Sequence, residues 1–351
     1  MSTVKDPARA CADAGLRAGR LIRELVHAMP PAERARPCLS ILKPVAGYGA
    51  RAVDAAAEAV GVEQLEHLSR DLGCPIELVV EPTTGATHRI GPTGAGAVVW
   101  ACMDAIDGTV KVAGLGEPLP DRVRLANDGG WAATFAFTAP TAKPLAALTI
   151  GDFVVATVVD GNPTRYPTYP QDLIVLPAGD ALETREVTAA GERRVYTTTH
   201  TDLGQSWVFL DTFQAYDRAT RRPGDAEIGP ALYRRLADRH AGGAFDVLRQ
   251  YANLSALPRV MLGWREAPVW VESQGAGYLV VNENLANLIP SVPLIEGAGG
   301  LSVGFDGRRL RERRLAEGRT SVLHAANPVM CDRLLGIIRD AGGAEAPGAG
   351  G

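Results

Sequence analysis

The chain has 351 residues, 46% of them hydrophobic and 22% charged, with a formal net charge of −4. That is enough apolar material for a full globular core, and the acidic excess argues against a nucleic-acid or anionic-membrane partner. The five cysteines (Cys11, Cys38, Cys74, Cys102, Cys331) are scattered with no C-x-x-C pair. A zinc site or disulfide framework is therefore not expected, and with no apolar leader and no bilayer-length apolar run the chain reads as a cytoplasmic protein.

The spacing of Ala14, Leu16, Leu21, Ile22 and Leu25 predicts an amphipathic helix from Asp6 to His27, stopped by Pro30-Pro31. A second helix is expected from about Ala50 to Leu72, closed by Gly73 and Pro75, followed by a short strand from Ile76 to Val80. Thr83–Gly96 reads as a loop or loose hairpin, and Ala97–Cys102 as a strand buried on both faces. Further strands are expected at Ala132–Phe137, Leu145–Ile150, Phe153–Val159 and Leu173–Leu176. Between Ala178 and Asp246 only a strand near Arg194–Thr199 and a helix near Ile228–His240 stand out. Beyond them come short strands at Val260–Leu262, Val269–Val271 and Leu301–Phe305, then a helix from Pro328 to Arg339. Helices and strands mix without strict βαβ alternation, which favours a layered α/β sandwich over a doubly wound sheet or barrel.

The segment carrying most chemistry is Trp100-Ala-Cys-Met-Asp104-Ala-Ile-Asp107-Gly108-Thr109-Val110. An apolar strand delivers two carboxylates three residues apart into a turn, which supplies the hard oxygen donors that Mg²⁺ prefers. Gly108-Thr109 can then open a helix whose free N–H groups face an anion. Alone, the two acids read as well as a helix cap and a surface-turn acid.

The wider order of residues decides between those readings. In sequence run Asp54, Glu81-Pro82, Asp104-Ala105-Ile106-Asp107-Gly108-Thr109, Ala286-Asn287 and Gly299-Gly300, then the closing helix from Ala326-Asn327-Pro328. This order resembles the inositol monophosphatase and fructose-1,6-bisphosphatase superfamily of Mg²⁺-dependent, lithium-sensitive phosphatases. That family carries an Asp, a Glu-Glu pair, D-P-(I/L)-D-G-(S/T), then W-D and a trailing Gly-Gly. Aligning its W-D aspartate without a gap from Ala298 lands on Asn287, and a gapped register lands on Asn284.

The resemblance implies a layered α-β-α-β-α sandwich in a single phosphatase-like domain over residues 1–340. Its two α/β halves would span roughly 1–150 and 151–340, with 341–351 a disordered tail. It also implies a phosphomonoesterase acting on a small phosphorylated polyol, sugar or nucleoside, and a homodimer. By the same resemblance Glu81, Asp104 and the Ile106 carbonyl hold a first Mg²⁺. Asp104 bridges to a second cation shared with Asp107 and Asn287. Glu81 and Thr109 orient the attacking water, Gly108 and Thr109 hold phosphate oxygens with their N–H groups, and Asn287 lies against the substrate. Asp54 is placed as an outer group near the metals.

Four positions depart from the family pattern: Pro82 for Glu, Ala105 for Pro, Ala286 for Trp and Asn287 for Asp. A neutral amide offers an oxygen but no charge, so the second cation should be held more weakly than the first. Glu283 is the nearest carboxylate that could substitute. Two alternatives follow: a repurposed non-hydrolytic enzyme that eliminates, cyclises or rearranges a phosphorylated substrate, or an inactive sugar-phosphate-binding homologue. The run Arg308–Arg314 reads as a solvated edge, and the six histidines as surface or satisfied structural groups.

Overall fold

A computed structural model describes residues 4–42, 51–81, 86–93, 96–108, 112, 130–163, 170–211, 225–239, 245–246, 261–266, 269–271 and 275–342, with Glu81 described by its backbone alone. Helix α1 (Pro7–Ala28) starts where the sequence asks it to: Asp6 accepts the Arg9 N–H at 3.0 Å and a proline occupies the first turn. Its buried stripe is made mostly of small residues, Cys11, Ala12, Ala14, Gly15, Ala18 and Gly19 among them. A Cβ on Gly15 would lie 2.6 Å from Thr157 Oγ1, and one on Gly19 2.5 Å from Val159 Cγ2. The two glycines thus let the helix backbone settle directly on the sheet.

A single turn, α2 (Pro31–Arg34), leads to α3 (Ala52–Leu72). Asp54 caps α3, its carboxylate accepting the Arg51 N–H at 2.7 Å, and Gly73 ends it with a φ of 67°. Asp54 thus has a helix-capping role in this structure.

Eight strands build the first sheet: β1 (Ile76–Glu81), β2 (Ala86–Ile90), β3 (Val99–Asp107), β4 (Ala132–Thr138), β5 (Phe153–Asp160), β6 (Asp172–Ala178), β7 (Ala181–Thr188) and β8 (Gly191–Arg194), in the order β2-β1-β3-β4-β5-β6-β7-β8. Within it β1 and β3 are parallel and every other pairing is antiparallel. Every residue of β4 is buried, as befits a strand covered on both faces. The second sheet combines β9 (Trp207–Asp211), β10 (Phe245–Asp246), β13 (Gly275–Asn284), β14 (Leu301–Gly304) and β15 (Arg319–Ala325), in the order β10-β9-β13-β15-β14. A separate hairpin pairs β11 (Trp264–Glu266) with β12 (Val269–Val271).

Three hydrophobic clusters fix the layers. Ile22 and Val26 of α1 and Val53 and Leu65 of α3 pack with Ala101 and Phe135 on the outer face of the first sheet. Trp100, Cys102 and Val158 meet Tyr278, Val280 and Val322 of the second sheet, with α5 (Leu285–Leu288) and α6 (Ser291–Gly297) between them. Beyond the second sheet lie α4 (Asp225–Arg239) and α7 (Pro328–Asp340), which bury Leu232, Leu236, Leu334 and Ile338. The result is a five-layer α-β-α-β-α sandwich.

Several sequence expectations need correction. The strand expected over Leu145–Ile150 is two 3₁₀ turns, Leu145–Ala147 and Ile150–Asp152. Met261 is not in a strand, and residue 260 lies outside the described residues. Strands β7, β9, β10, β11, β13 and β15 were not anticipated, and the strand expected near Arg194–Thr199 is β8, which ends at Arg194. The sheets divide the chain between Arg194 and Trp207 rather than near residue 150. Of the expected tail only Ala341 and Gly342 are described. The basic run is not a solvated edge throughout: Arg313 is 7% exposed, with ion pairs to Asp306 and, at 3.0 Å, to Glu317.

Candidate active site

The site lies at the carboxyl ends of β1 and β3, on the side of the first sheet that faces α5 and the second sheet. Val79 of β1 sits beside Cys102 of β3 in parallel register. That register extends as far as Val79, and β1 carries an irregularity of its own before Glu81, which pairs with Ala86 of β2.

The local shape of β3 decides where the aspartates go. The sequence suggested that Asp104 and Asp107 occupy a turn after the strand, whereas β3 continues through Asp107. In a regular strand side chains alternate, so residues three apart face opposite sides. Here Asp104 pairs with Thr134 and Asp107 with Ala132, so three steps along β3 match two along β4. This is a β-bulge at Ala105-Ile106. Both bulge residues are buried in the outer cluster against the helices, whereas Trp100 and Cys102 belong to the inner one. The extra residue thus phases Asp107 back onto the face of Asp104.

Asp104 is pinned over the bulge, one carboxylate oxygen accepting the Ile106 N–H at 3.2 Å. Both aspartates are partly buried. Gly108 leaves the strand with a φ of 108°, a left-handed region that favours glycine. Its carbonyl accepts the Val112 N–H at 3.3 Å. Thr109, Pro82 and the side chain of Glu81 lie outside the described residues.

The opposing wall comes from the end of β13. Val280 pairs with Val322 and Glu283 with Thr320, so β13 also carries an extra residue before its end. Asn282, in this bulge, takes a φ of 56°, the left-handed conformation that asparagine tolerates better than most residues. Glu283, 2% exposed, accepts the Asn284 N–H at 2.8 Å and the Asn287 Nδ2 at 2.9 Å, both on Oε1. Asn284 accepts the Ala286 N–H at 3.0 Å and caps α5, so its side-chain oxygen already serves the helix. The Ala286 carbonyl lies 3.5 Å from Cys102 Sγ. This contact sets the start of α5 against β3 two residues before Asp104.

Among the described residues no group of three or more His, Cys, Asp or Glu is arranged to hold a metal ion. The described donors at this place are the carboxylates of Asp104 and Asp107, the Ile106 carbonyl and the Asn287 amide oxygen. All are hard oxygens, and their chemistry fits Mg²⁺. The sequence offered Glu283 only as a substitute carboxylate; its grip on the Asn287 amide was not foreseen, because the bulge is not written in residue identity.

Elsewhere, His324 is fully buried in β15 and bonded through Nδ1 to Ser302 Oγ at 2.8 Å; burial pushes its pKa down to about 3. No helix among the described residues is long and apolar enough to cross a membrane.

No protein-family model matches the chain, and no curated protein sequence does. Solved structures do. Leishmania major fructose-1,6-bisphosphatase superposes with a TM-score of 0.60 at 11% identity, over 96% of this chain and 95% of that one. Mycobacterium tuberculosis SuhB gives 0.56 at 15% identity, over 97% and 100%. The inositol monophosphatase of Anabaena gives 0.54 at 16% identity, over 93% and 94%. Along nearly its whole length the chain has the fold shared by inositol monophosphatases and fructose-1,6-bisphosphatase.

Proposed function

We propose that the protein is a Mg²⁺-dependent phosphomonoesterase acting on a small phosphorylated polyol, sugar or nucleoside. The observation that carries this reading is the β3 bulge, which turns Asp104 and Asp107 to one face, beside the end of β1 and across from α5. Asp104, Glu81 and the Ile106 carbonyl would hold one Mg²⁺. Asp104, Asp107 and Asn287 would hold a second, more weakly because one of its donors is a neutral amide. Bound there, Mg²⁺ supplies Lewis acidity toward water and toward the phosphoryl oxygens.

The remaining work falls to the chain. Glu81 and the Thr109 hydroxyl orient the attacking water, while the N–H groups of Gly108 and Thr109 hold phosphate oxygens in line with it. Asn287 borders the substrate. A cytoplasmic homodimer is part of the same proposal, and sedimentation of the purified chain tests the dimer.

The test is phosphate release from a panel of inositol, sugar and nucleoside phosphates with Mg²⁺. Release that Asp104→Asn abolishes supports the reading; no release from any member contradicts it. The neutral Asn287 favours a second reading, a non-hydrolytic reaction on a phosphorylated substrate. Mass spectrometry of a product that keeps its phosphate would select it.

A further inference from the structure

The hydrogen bond between Glu283 and Asn287 has a directional consequence. Asn287 Nδ2 donates to Glu283 Oε1 at 2.9 Å, so the end of the amide that meets Glu283 is its NH₂. The amide oxygen is thereby turned to the other side. Asn287 is exposed and could otherwise rotate, whereas Glu283 is 2% exposed and held by the Asn284 N–H at 2.8 Å. The buried residue is the fixed partner and sets the orientation of the exposed one.

We propose that Glu283 is a positioning residue for the candidate metal site: it grips the Asn287 amide by its nitrogen and so presents Oδ1 as a cation ligand. This rests on the metal-dependent reading above and deepens it. A carboxylate behind the NH₂ also polarises the amide, drawing negative charge onto Oδ1. Carboxylates behind metal-bound histidines act in the same way. Asn287 and Glu283 also suit each other: an aspartate at 287 would put two carboxylates in hydrogen-bond contact, which is unfavourable until a cation arrives.

The experiment is calorimetric titration of the intact protein with Mn²⁺ as the probe, where wild type shows a tight step and a looser one. E283L, which removes the acceptor, weakens the looser step about tenfold, the usual scale for removing such a partner, and leaves the tight step in place. N287A weakens it comparably, because the ligand oxygen itself is gone. E283L/N287D recovers the looser step to within about twofold of wild type, since an aspartate needs no orienting. Each variant still melts cooperatively without metal. Mn²⁺ uptake unchanged in E283L, no recovery in E283L/N287D, or a looser step in N287A as tight as wild type, overturns the positioning role. No Mn²⁺ uptake by wild type overturns the metal-dependent reading itself, and this inference with it.

Discussion

The end of β3 and the end of β13 solve one problem with different residues. Each is a buried strand with one extra residue near its carboxyl end, and in each the bulge sends an acid toward the space between the sheets. At β3 the acids are Asp104 and Asp107, partly buried beside a turn that Gly108 opens. At β13 the acid is Glu283, almost wholly buried and already holding Asn287. The first end presents carboxylates directly; the second presents a neutral amide held by a carboxylate. Under the proposed metal-dependent reading, two strands bent alike give sites of unequal strength, and the inequality resides in the side chains rather than in the backbone.

Substitutions on the two ends should differ accordingly. Asp107→Ala should lower phosphate release by roughly 10³-fold, the scale of losing several kcal/mol of charge stabilisation. Asn287→Ala should lower it only about tenfold; equal losses in steady-state assays would erase the distinction between the two ends. The β13 bulge can be probed by itself. Asn282→Val places a β-branched side chain at a φ of 56° and should cost about 2 kcal/mol in urea unfolding, whereas Asn282→Gly, which accepts that φ, should cost less.

The second sheet also carries a pH dependence of its own. His324 stays neutral in the fold until pH falls to about 3, whereas in the unfolded chain it takes up a proton near its ordinary value of about 6.5. Between those limits the unfolded state binds more protons. Stability is therefore present above pH 6.5 and falls as pH drops, by at most about 1.4 kcal/mol per unit. His324→Gln should flatten the melting-temperature profile between pH 7 and 5; an unchanged slope would remove His324 as its source. The smallest effect belongs to β3, where Ala105→Pro should be tolerated in the bulge and stabilise by about 0.5–1 kcal/mol through a stiffer unfolded chain.

What could be read from sequence follows the same division. The β3 site was legible because Asp104, Asp107 and Gly108 are contiguous and follow an unbroken apolar run. Helices α1, α3 and α7 were legible from apolar spacing and from Asp6, Gly73 and Pro328 at their ends. Strands β13 and β15 were not. Gly275–Asn284 is buried on both faces and so lacks alternation, and it opens on glycines that read as loop. In Arg319–Ala325, Thr320, Ser321 and His324 disguise a central strand whose polar side chains are hydrogen-bonded inside. Neither bulge could be seen, because an extra residue is defined only against its partner strand. The arginine run misled for a related reason: Arg313 is read as solvated until Asp306 and Glu317 fold over it.

The most direct test of the central claim, that the β3 bulge makes Asp104 and Asp107 a common cation site, is anomalous diffraction from a crystal grown with Mn²⁺. The account predicts a strong peak about 2.1–2.3 Å from a carboxylate oxygen of each aspartate, with a weaker peak toward Asn287. A Mn²⁺-saturated crystal with no density between Asp104 and Asp107, or with the two carboxylates on opposite faces of β3, would contradict it.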